Sequence, residues 1–353
     1  MDLSLIKLFL PTALTFLVGI AMTPTVVRFS IKHKLWKRYA RKDETKNPDK
    51  MSPVFQAIHN SDDELRTSRI GGVIIWLSTL TVACAMWLLT IFFPSPVIEK
   101  LNFISRDQTL ILLVGLFFAS LIGLVDDALC IYAHEGKFSN GFPRIYMIVM
   151  VVMIGLVGGT WFYEKLGASL VHIPFDGSIA LGILFIPFFM LVLFGVFSSG
   201  VIDGIDGLAG GVMATIFAAY ATIAFFQNQI NVAVFCGVIT GALLAFLWFN
   251  IPPARFYLGE SGMLGLTVSL TLVAFLTNTV LILPIIALPL TLTALSSAIQ
   301  IISKKFFHYK VFRVAPLHHH FQSLGWPREK VTMRYWVISV IFAIIGIVLS
   351  LIS

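Results

Sequence analysis

The sequence predicts an all-α polytopic membrane protein of about ten transmembrane helices, with both termini on the outer side and a cleft facing the cytoplasm. Three observations predict it. Hydrophobic residues make up 58% of the 353-residue chain and charged residues only 12%, where a soluble domain carries about 25% charged residues. The apolar residues gather in runs of about 20, the length an α-helix needs to cross a hydrocarbon core. Lys and Arg are concentrated in alternate connections between those runs, as the positive-inside rule requires.

In chain order the runs lie near 5–28, 70–93, 108–125, 145–163, 178–200, 207–227, 231–249, 262–281, 283–303 and 334–352. The first has no small-residue cleavage site after a short apolar core, so it reads as a retained helix and not as a signal peptide. The connection after it is basic at first (Lys32, Lys34, Lys37, Arg38, Arg41, Lys42) and then acidic (Asp62, Asp63, Glu64). Such a segment reads as a solvated loop that sets topology and meets anionic lipid. The second run follows it, and the third closes on GLVDDALC. The fourth and fifth lead to the short connection 201–206, and a glycine-rich stretch opens the sixth. The seventh ends at Asn250, where Pro252 and Pro253 enforce an extended connection. The eighth and ninth precede a longer histidine-bearing segment, and the tenth closes the chain. The connections 28–69, 126–144, 201–206, 250–261 and 304–334 hold 21 of the 25 Lys and Arg; Lys7, Lys100, Arg106 and Lys165 fall elsewhere. That asymmetry places those connections in the cytoplasm. Residues 1–353 read as a single integral membrane domain.

The net charge of +7 could suggest a nucleic-acid partner, but its confinement to loops beside apolar spans points to the lipid bilayer. Cys84, Cys130 and Cys236 are too few and too scattered for a disulfide framework or a zinc-ligand spacing. The runs do not fall into two matching halves, which argues against a transporter built from repeats.

Five acids stand at helix ends or in very short loops on the side that Lys and Arg assign to the cytoplasm: Asp126, Asp127, Asp203, Asp206 and Glu260. An acid near the hydrocarbon is costly, so it faces a cavity, a partner or an ion. Asp126 and Asp127 repel each other and need a cation or basic group to stay ionised; the plainer reading is a polar helix end at the interface. In GVIDGIDGLAGG, Asp203 and Asp206 are three apart and would share a face on a helical turn. The glycines permit close approach, and the helix start offers N–H groups to an anion; the plainer reading has Asp206 capping that helix. Arg255 offers a fork to phosphate and Tyr257 a ring to a base, unless both are interfacial anchors. His318, His319 and His320 point about 100° apart on a helix and cannot readily share one metal. One or two of them suit phosphate oxygens, or all three are a surface run. Hard acids beside phosphate-binding groups point to Mg²⁺, which takes carboxylates together with substrate phosphates; a zinc-type Cys/His set is lacking.

The paired acids of GLVDD, the DGIDGLAGG block, FLWFN followed ten residues on by the acid of LGESG, and APLHHHF…GWP…RYW occur in order along nearly the whole chain. In these blocks the sequence resembles the phospho-N-acetylmuramoyl-pentapeptide transferases, within the polyprenyl-phosphate N-acetylhexosamine-1-phosphate transferase superfamily. The resemblance implies transfer of phospho-N-acetylmuramoyl-pentapeptide from UDP-MurNAc-pentapeptide to undecaprenyl phosphate, giving lipid I and UMP. It further implies Mg²⁺, an active-site cleft facing the cytoplasm of a bacterial inner membrane, and a homodimer. By position, Asp126 and Asp127 match the catalytic acid pair. Asp203, Asp206 and Asn250 match polar residues around the uridine-diphosphate site, and Tyr257 an aromatic near the uracil. Glu260 falls where the family has a metal-binding Asp, and His318, His319 and His320 match the histidine motif. The expected metal ligands are therefore Glu260, Asp126 and Asp127, with Arg255 beside the substrate. Departures also stand out. Cys130 replaces a Lys, Gly200 an Asn and Gln322 a Glu, and TSRIGG replaces PTMGG and so introduces Arg69. Arg66, Arg69 and Arg144 are the candidates to restore the missing positive charge. The competing readings are a sister enzyme using another UDP-N-acetylhexosamine, an inactive paralogue, and, in a different class, a transporter.

Overall fold

A helix that is apolar on every side must be buried on every side, and the sequence between residues 208 and 276 contains three of them in succession. The computed structural model describes residues 2–36, 67–105, 108–133, 138 and 141–353. The charges expected at Lys37, Arg38, Arg41, Lys42, Asp62, Asp63, Glu64, Arg66 and Arg106 lie outside the described residues. The helices are α1 (Asp2–His33), α2 (Gly72–Phe92), α3 (Pro96–Leu101), α4 (Thr109–Tyr132), α5 (Arg144–Lys165), α6 (Phe185–Ser198), α7 (Leu208–Phe226), α8 (Ile230–Asn250), α9 (Gly259–Leu276), α10 (Leu283–Ile286), α11 (Leu288–Ile302), α12 (Leu317–Ser323) and α13 (Arg328–Ile352). Among the described residues nine helices are long and apolar enough to cross a membrane.

Helices α7, α8 and α9 form the interior. Every residue of α9 from Ser261 to Phe275 is buried. Its two threonine hydroxyls turn back on the helix, Thr267 on the Met263 carbonyl and Thr271 on the Thr267 carbonyl, which satisfies those buried donors locally. Around this centre α1 packs on α8, α4 on α9, α13 on α7, and α5 on α6. Apolar burial cannot drive helices together in lipid, where the tails are as apolar as Leu, so close backbone approach at small residues takes over. Gly123 on α4 shows this: a methyl group there would strike the Glu260 carbonyl of α9. That contact sets the last turns of α4, with Asp126 and Asp127, against the start of α9.

Two sequence expectations change. The run 283–303 is not one span but α10 and α11, broken at Ala287 (φ −103°, ψ 35°), with Pro284 and Pro289 at the start of each piece. Proline cannot donate to the preceding turn and clashes with it. The 15 α-helical residues of α11 reach about 22 Å and run on into a π-helical turn, Ser303–Phe307. The run placed at 178–200 is preceded by an antiparallel hairpin, β1 (Leu170–Ile173) and β2 (Gly177–Ala180), in register Leu170↔Ala180. The helical part begins only at Gly182, and the fold is therefore not wholly α.

At one end of the bundle the C-terminal ends of α4 and α8 meet the N-terminal ends of α2, α7 and α9. Gly123→Val should push α4 off α9 and destabilise the protein by about 1–3 kcal/mol, the usual cost of overpacking. A lowered melting temperature in detergent would show it, and an unchanged one would mean that this helix contact is not required.

Candidate active site

The first turn of an α-helix carries N–H groups with no partner inside the helix, and its dipole favours negative charge there. In α9 those groups are taken by carboxylates from two other parts of the chain. Asp203 Oδ2 accepts from the Gly259 N–H at 3.2 Å. Asp127 accepts from the Glu260 N–H at 3.0 Å through Oδ1 and from the Ser261 N–H at 2.9 Å through Oδ2. Gly259 adopts φ +68°, a conformation that favours glycine, and this turns three successive N–H groups toward the two acids. Asp127 is 2% exposed. Beside it, Asp126 Oδ1 accepts from the Phe142 N–H at 2.5 Å, and Gly141 (φ +86°) lies flush against the same carboxylate.

Glu260 completes the group, within electrostatic reach of Asp126, Asp127 and Asp203. Among the described residues the opposing charge is Arg69, which acts on Asp126, Asp203 and Glu260. Its backbone is placed by Ser68, which bridges to Trp36 on one side and Phe256 on the other. The Tyr257 N–H donates to the Ser68 carbonyl at 2.7 Å, and the Gly71 N–H donates to the Tyr257 carbonyl at 3.0 Å. Burial pushes the Asp203 carboxyl up to about 6; the Gly259 N–H and the Arg69 guanidinium oppose the rise, and Asp206 adds to it.

A second layer holds this one in shape. The turn carrying Asp203 and Asp206 is irregular, so the two do not share a helical face. Asp206 does not cap α7 either. Gly207, with φ +74°, takes the cap position, while Asp206 Oδ2 accepts from the Ala254 N–H at 3.1 Å. Asn250 is buried, and its amide spans two loops: Oδ1 accepts from the Gly207 N–H at 2.9 Å and Nδ2 donates to the Phe256 carbonyl at 2.8 Å. From α13, the Thr332 hydroxyl donates to the Asp206 carbonyl and Trp336 Nε1 to the Gly207 carbonyl, both at 3.1 Å.

The three histidines divide. His318 and His319 are buried, with rings 4.2 Å apart, and a methyl group on Gly204 would lie 2.9 Å and 3.0 Å from their Nε2 atoms. They therefore abut the loop between Asp203 and Asp206. His319 Nδ1 meets Gln322 Oε1 at 2.6 Å. The ring is held with its Nε2 toward the Gly204 loop. His320 packs on Phe312 instead. Arg255 is exposed, with its guanidinium 5.7 Å from the centre of the Phe249 ring, and Arg144 is exposed at the start of α5. Asp126, Asp127, Asp203, Glu260, His318 and His319 are thus drawn to one end of the bundle, whereas Arg255 and His320 contact other rings. The supporting roles of Phe142, Thr332 and Trp336 had no sequence signal, because each acts through a backbone or aromatic contact across more than a dozen residues. Gln322 was visible as a departure but not as a partner of His319.

No three Asp, Glu, His or Cys side chains among the described residues close around a point that could hold a metal ion, and Asp127 has both oxygens on backbone N–H groups. The donors nonetheless suit a hard cation in kind. Magnesium commonly takes only one or two carboxylates and completes its shell with water and phosphate. Glu260 and Asp126, crowded by like charge, are the fitting pair.

The fold is that of a multi-pass membrane protein with acids and histidines gathered at one end, and residues 109–278 match the model of glycosyl transferase family 4, which makes its class a transferase. Among curated relatives, the phospho-N-acetylmuramoyl-pentapeptide-transferase of Chloroflexus aurantiacus is 31% identical, covering 98% of this chain and 90% of its own. Its namesake in Geobacillus thermodenitrificans is 31% identical over 95% of both chains, and that of Caldanaerobacter subterraneus 34% identical over 65% of this chain and 72% of its own. The chain belongs to the phospho-N-acetylmuramoyl-pentapeptide-transferase family.

Two outcomes follow from this geometry. Asp127→Ala should uncap α9 and lower stability by about 1–3 kcal/mol, the cost of stranding buried donors, whereas Glu260→Gln should leave the melting temperature nearly unchanged; equal melting for both would refute the cap. For Asp203, a folded pKa above the ordinary 3.8 means that the acid form is favoured in the fold. Stability from this group is present below about pH 4 and is lost as pH rises through about 6. Asp203→Asn stays neutral, so in EDTA its melting temperature relative to the parent should climb between about pH 4 and 7. A flat difference would refute the assignment.

Proposed function

We propose that this protein transfers phospho-N-acetylmuramoyl-pentapeptide from its UDP-linked donor to undecaprenyl phosphate at the cytoplasmic face of a bacterial inner membrane, releasing UMP. The observation that carries this reading is the convergence of four acids and Arg69 on the start of α9, with two histidines against the adjoining Gly204 loop. That end of the bundle receives the connections richest in Lys and Arg. An apolar cavity of about 560 Å³ between α4, α5, α6 and α9 runs along α4 from Leu110 to Ile122, one turn short of Asp126. It has the dimensions and lining for part of an isoprenoid chain whose phosphate reaches the acids.

In the proposed reaction an oxygen of the acceptor phosphate attacks the β-phosphorus of the donor. The bond from that phosphorus to the bridging oxygen breaks, and UMP departs with the electron pair. The acceptor is a phosphate monoester with a second pKa near 6, so it is mostly dianionic at neutral pH and needs no strong base. Its obstacle is repulsion from an anionic diphosphate, which positioning and positive charge overcome. Asp127, with both oxygens on the first turn of α9, acts by holding Glu260 and Ser261 in place, which favours direct attack over a phosphoryl-aspartate. Asp126 and Glu260 would hold Mg²⁺, whose chemistry here is charge neutralisation on phosphate oxygens. His318 and His319 face the Gly204 loop, where Nε2 can donate to phosphate when protonated. Asp206, Asn250 and Tyr257 shape the wall proposed for the uridine.

Purified protein in detergent, given UDP-MurNAc-pentapeptide, undecaprenyl phosphate and Mg²⁺, should form lipid I and UMP in equal amounts and lose turnover in EDTA. Glu260→Gln should lower turnover by about a hundredfold and shift the metal titration. A UMP burst without acceptor, abolished by Asp127→Asn, would overturn direct attack. Lipid I formed at the same rate by Glu260→Gln would overturn the role given to that residue.

A further inference from the structure

From the transferase reading and the placement of Arg69, we infer that this residue is a phosphate ligand of the site: its guanidinium takes a phosphate oxygen of a bound substrate beside the first turn of α9. Three observations carry this. The first is placement. Ser68 is paired on both sides, to Trp36 and to Phe256, and the Arg69 carbonyl lies flush against Gly259, which has no room there for a side chain. The residue is therefore held at the junction of α2, the 250–258 connection and α9, and is not free to swing with a loop.

The second is charge. Arg69 is the cation whose field is felt by Asp126, Asp203 and Glu260 together. Among the described residues, Arg255 lies over the Phe249 ring and Arg144 stands exposed at the start of α5. The third is that this guanidinium is not spent. Its Nε is buried without a hydrogen-bond partner, and among the described residues it closes no ion pair with the three acids it acts on. Leaving a buried charged donor unsatisfied is costly, and an arginine meant only to neutralise the acids would sit in contact with one of them. A planar fork with open donors, set back from carboxylates that suit a cation, is matched by a phosphate oxygen lying between the two.

The shared chemistry is a phosphate, and it has two sources, the nucleotide diphosphate and the lipid phosphate. The test measures UDP and UMP affinity calorimetrically, together with KM for donor and for undecaprenyl phosphate, in the parent, Arg69→Lys and Arg69→Met, with melting temperature beside them. If the fork meets the β-phosphate, Arg69→Met weakens UDP binding about tenfold or more and leaves UMP binding nearly unchanged, and Arg69→Lys recovers part of the loss. If it meets the acceptor, UDP affinity holds and KM for undecaprenyl phosphate rises, again with partial recovery in Arg69→Lys. Unchanged affinities and KM values in both variants would overturn the inference, whatever happened to melting temperature, and leave Arg69 a counterion. Failure of the parent to form lipid I, with UDP binding still lost in Arg69→Met, would sink the transfer reaction and leave the phosphate ligand standing.

Discussion

The structure depends on how the first turn of α9 is held. Three consecutive N–H groups, from Gly259, Glu260 and Ser261, are received by the carboxylates of Asp203 and Asp127, each on a different element. Leaving such buried N–H groups without an acceptor would cost about 1–3 kcal/mol each. Because α9 is buried along nearly its whole length, whatever fixes its first turn also fixes the axis around which the other helices pack. The same bonds orient Glu260, so the group that shapes the site also ties α4 and the 203–206 turn to the helix that bears it.

This arrangement explains why so many charged groups are tolerated beside hydrocarbon. Two of the acids are satisfied by backbone N–H groups of α9 and a third by Phe142, and Arg69 offsets part of the charge without being consumed. The remaining repulsion is concentrated on Glu260, which has no hydrogen-bond donor among the described residues. A site of this kind is incomplete until cation and phosphate arrive, which is the state a phosphoryl-transfer enzyme needs before its substrates bind. The supports are layered accordingly: Asn250 ties α7 to the 250–258 connection, and α13 reaches over with Thr332 and Trp336 to hold the carbonyls of Asp206 and Gly207.

Much of this was legible in the sequence. The acids stood out because an apolar background makes every polar exception visible, and the basic loops assigned them to one side without reference to the acids themselves. Spacing misled where it assumed a helix. Asp203 and Asp206, three apart, sit in an irregular turn because the backbone leaves helical geometry at Asp203 (ψ 65°) and again at Gly207 (φ +74°). The 283–303 run failed as a single span because two prolines divide it. The β1–β2 hairpin escaped notice because its strands of four residues are too short to show a period.

By itself the sequence determined the membrane-spanning class, the approximate order of the helices and the identity of the clustered acids. Each of these follows from composition, run length or the local cost of charge in an apolar segment. Only the tertiary structure decided which acids serve as caps and which stay open, because that depends on which helix end each one meets. Asp127 reaches α9 across 133 residues of chain and Asp203 across 56, separations at which no periodicity speaks. The same holds for Arg69. Sequence could name it among three candidates, but its place among the acids comes from the pairing of residues 68–72 with 256–258, a contact between segments almost 190 residues apart.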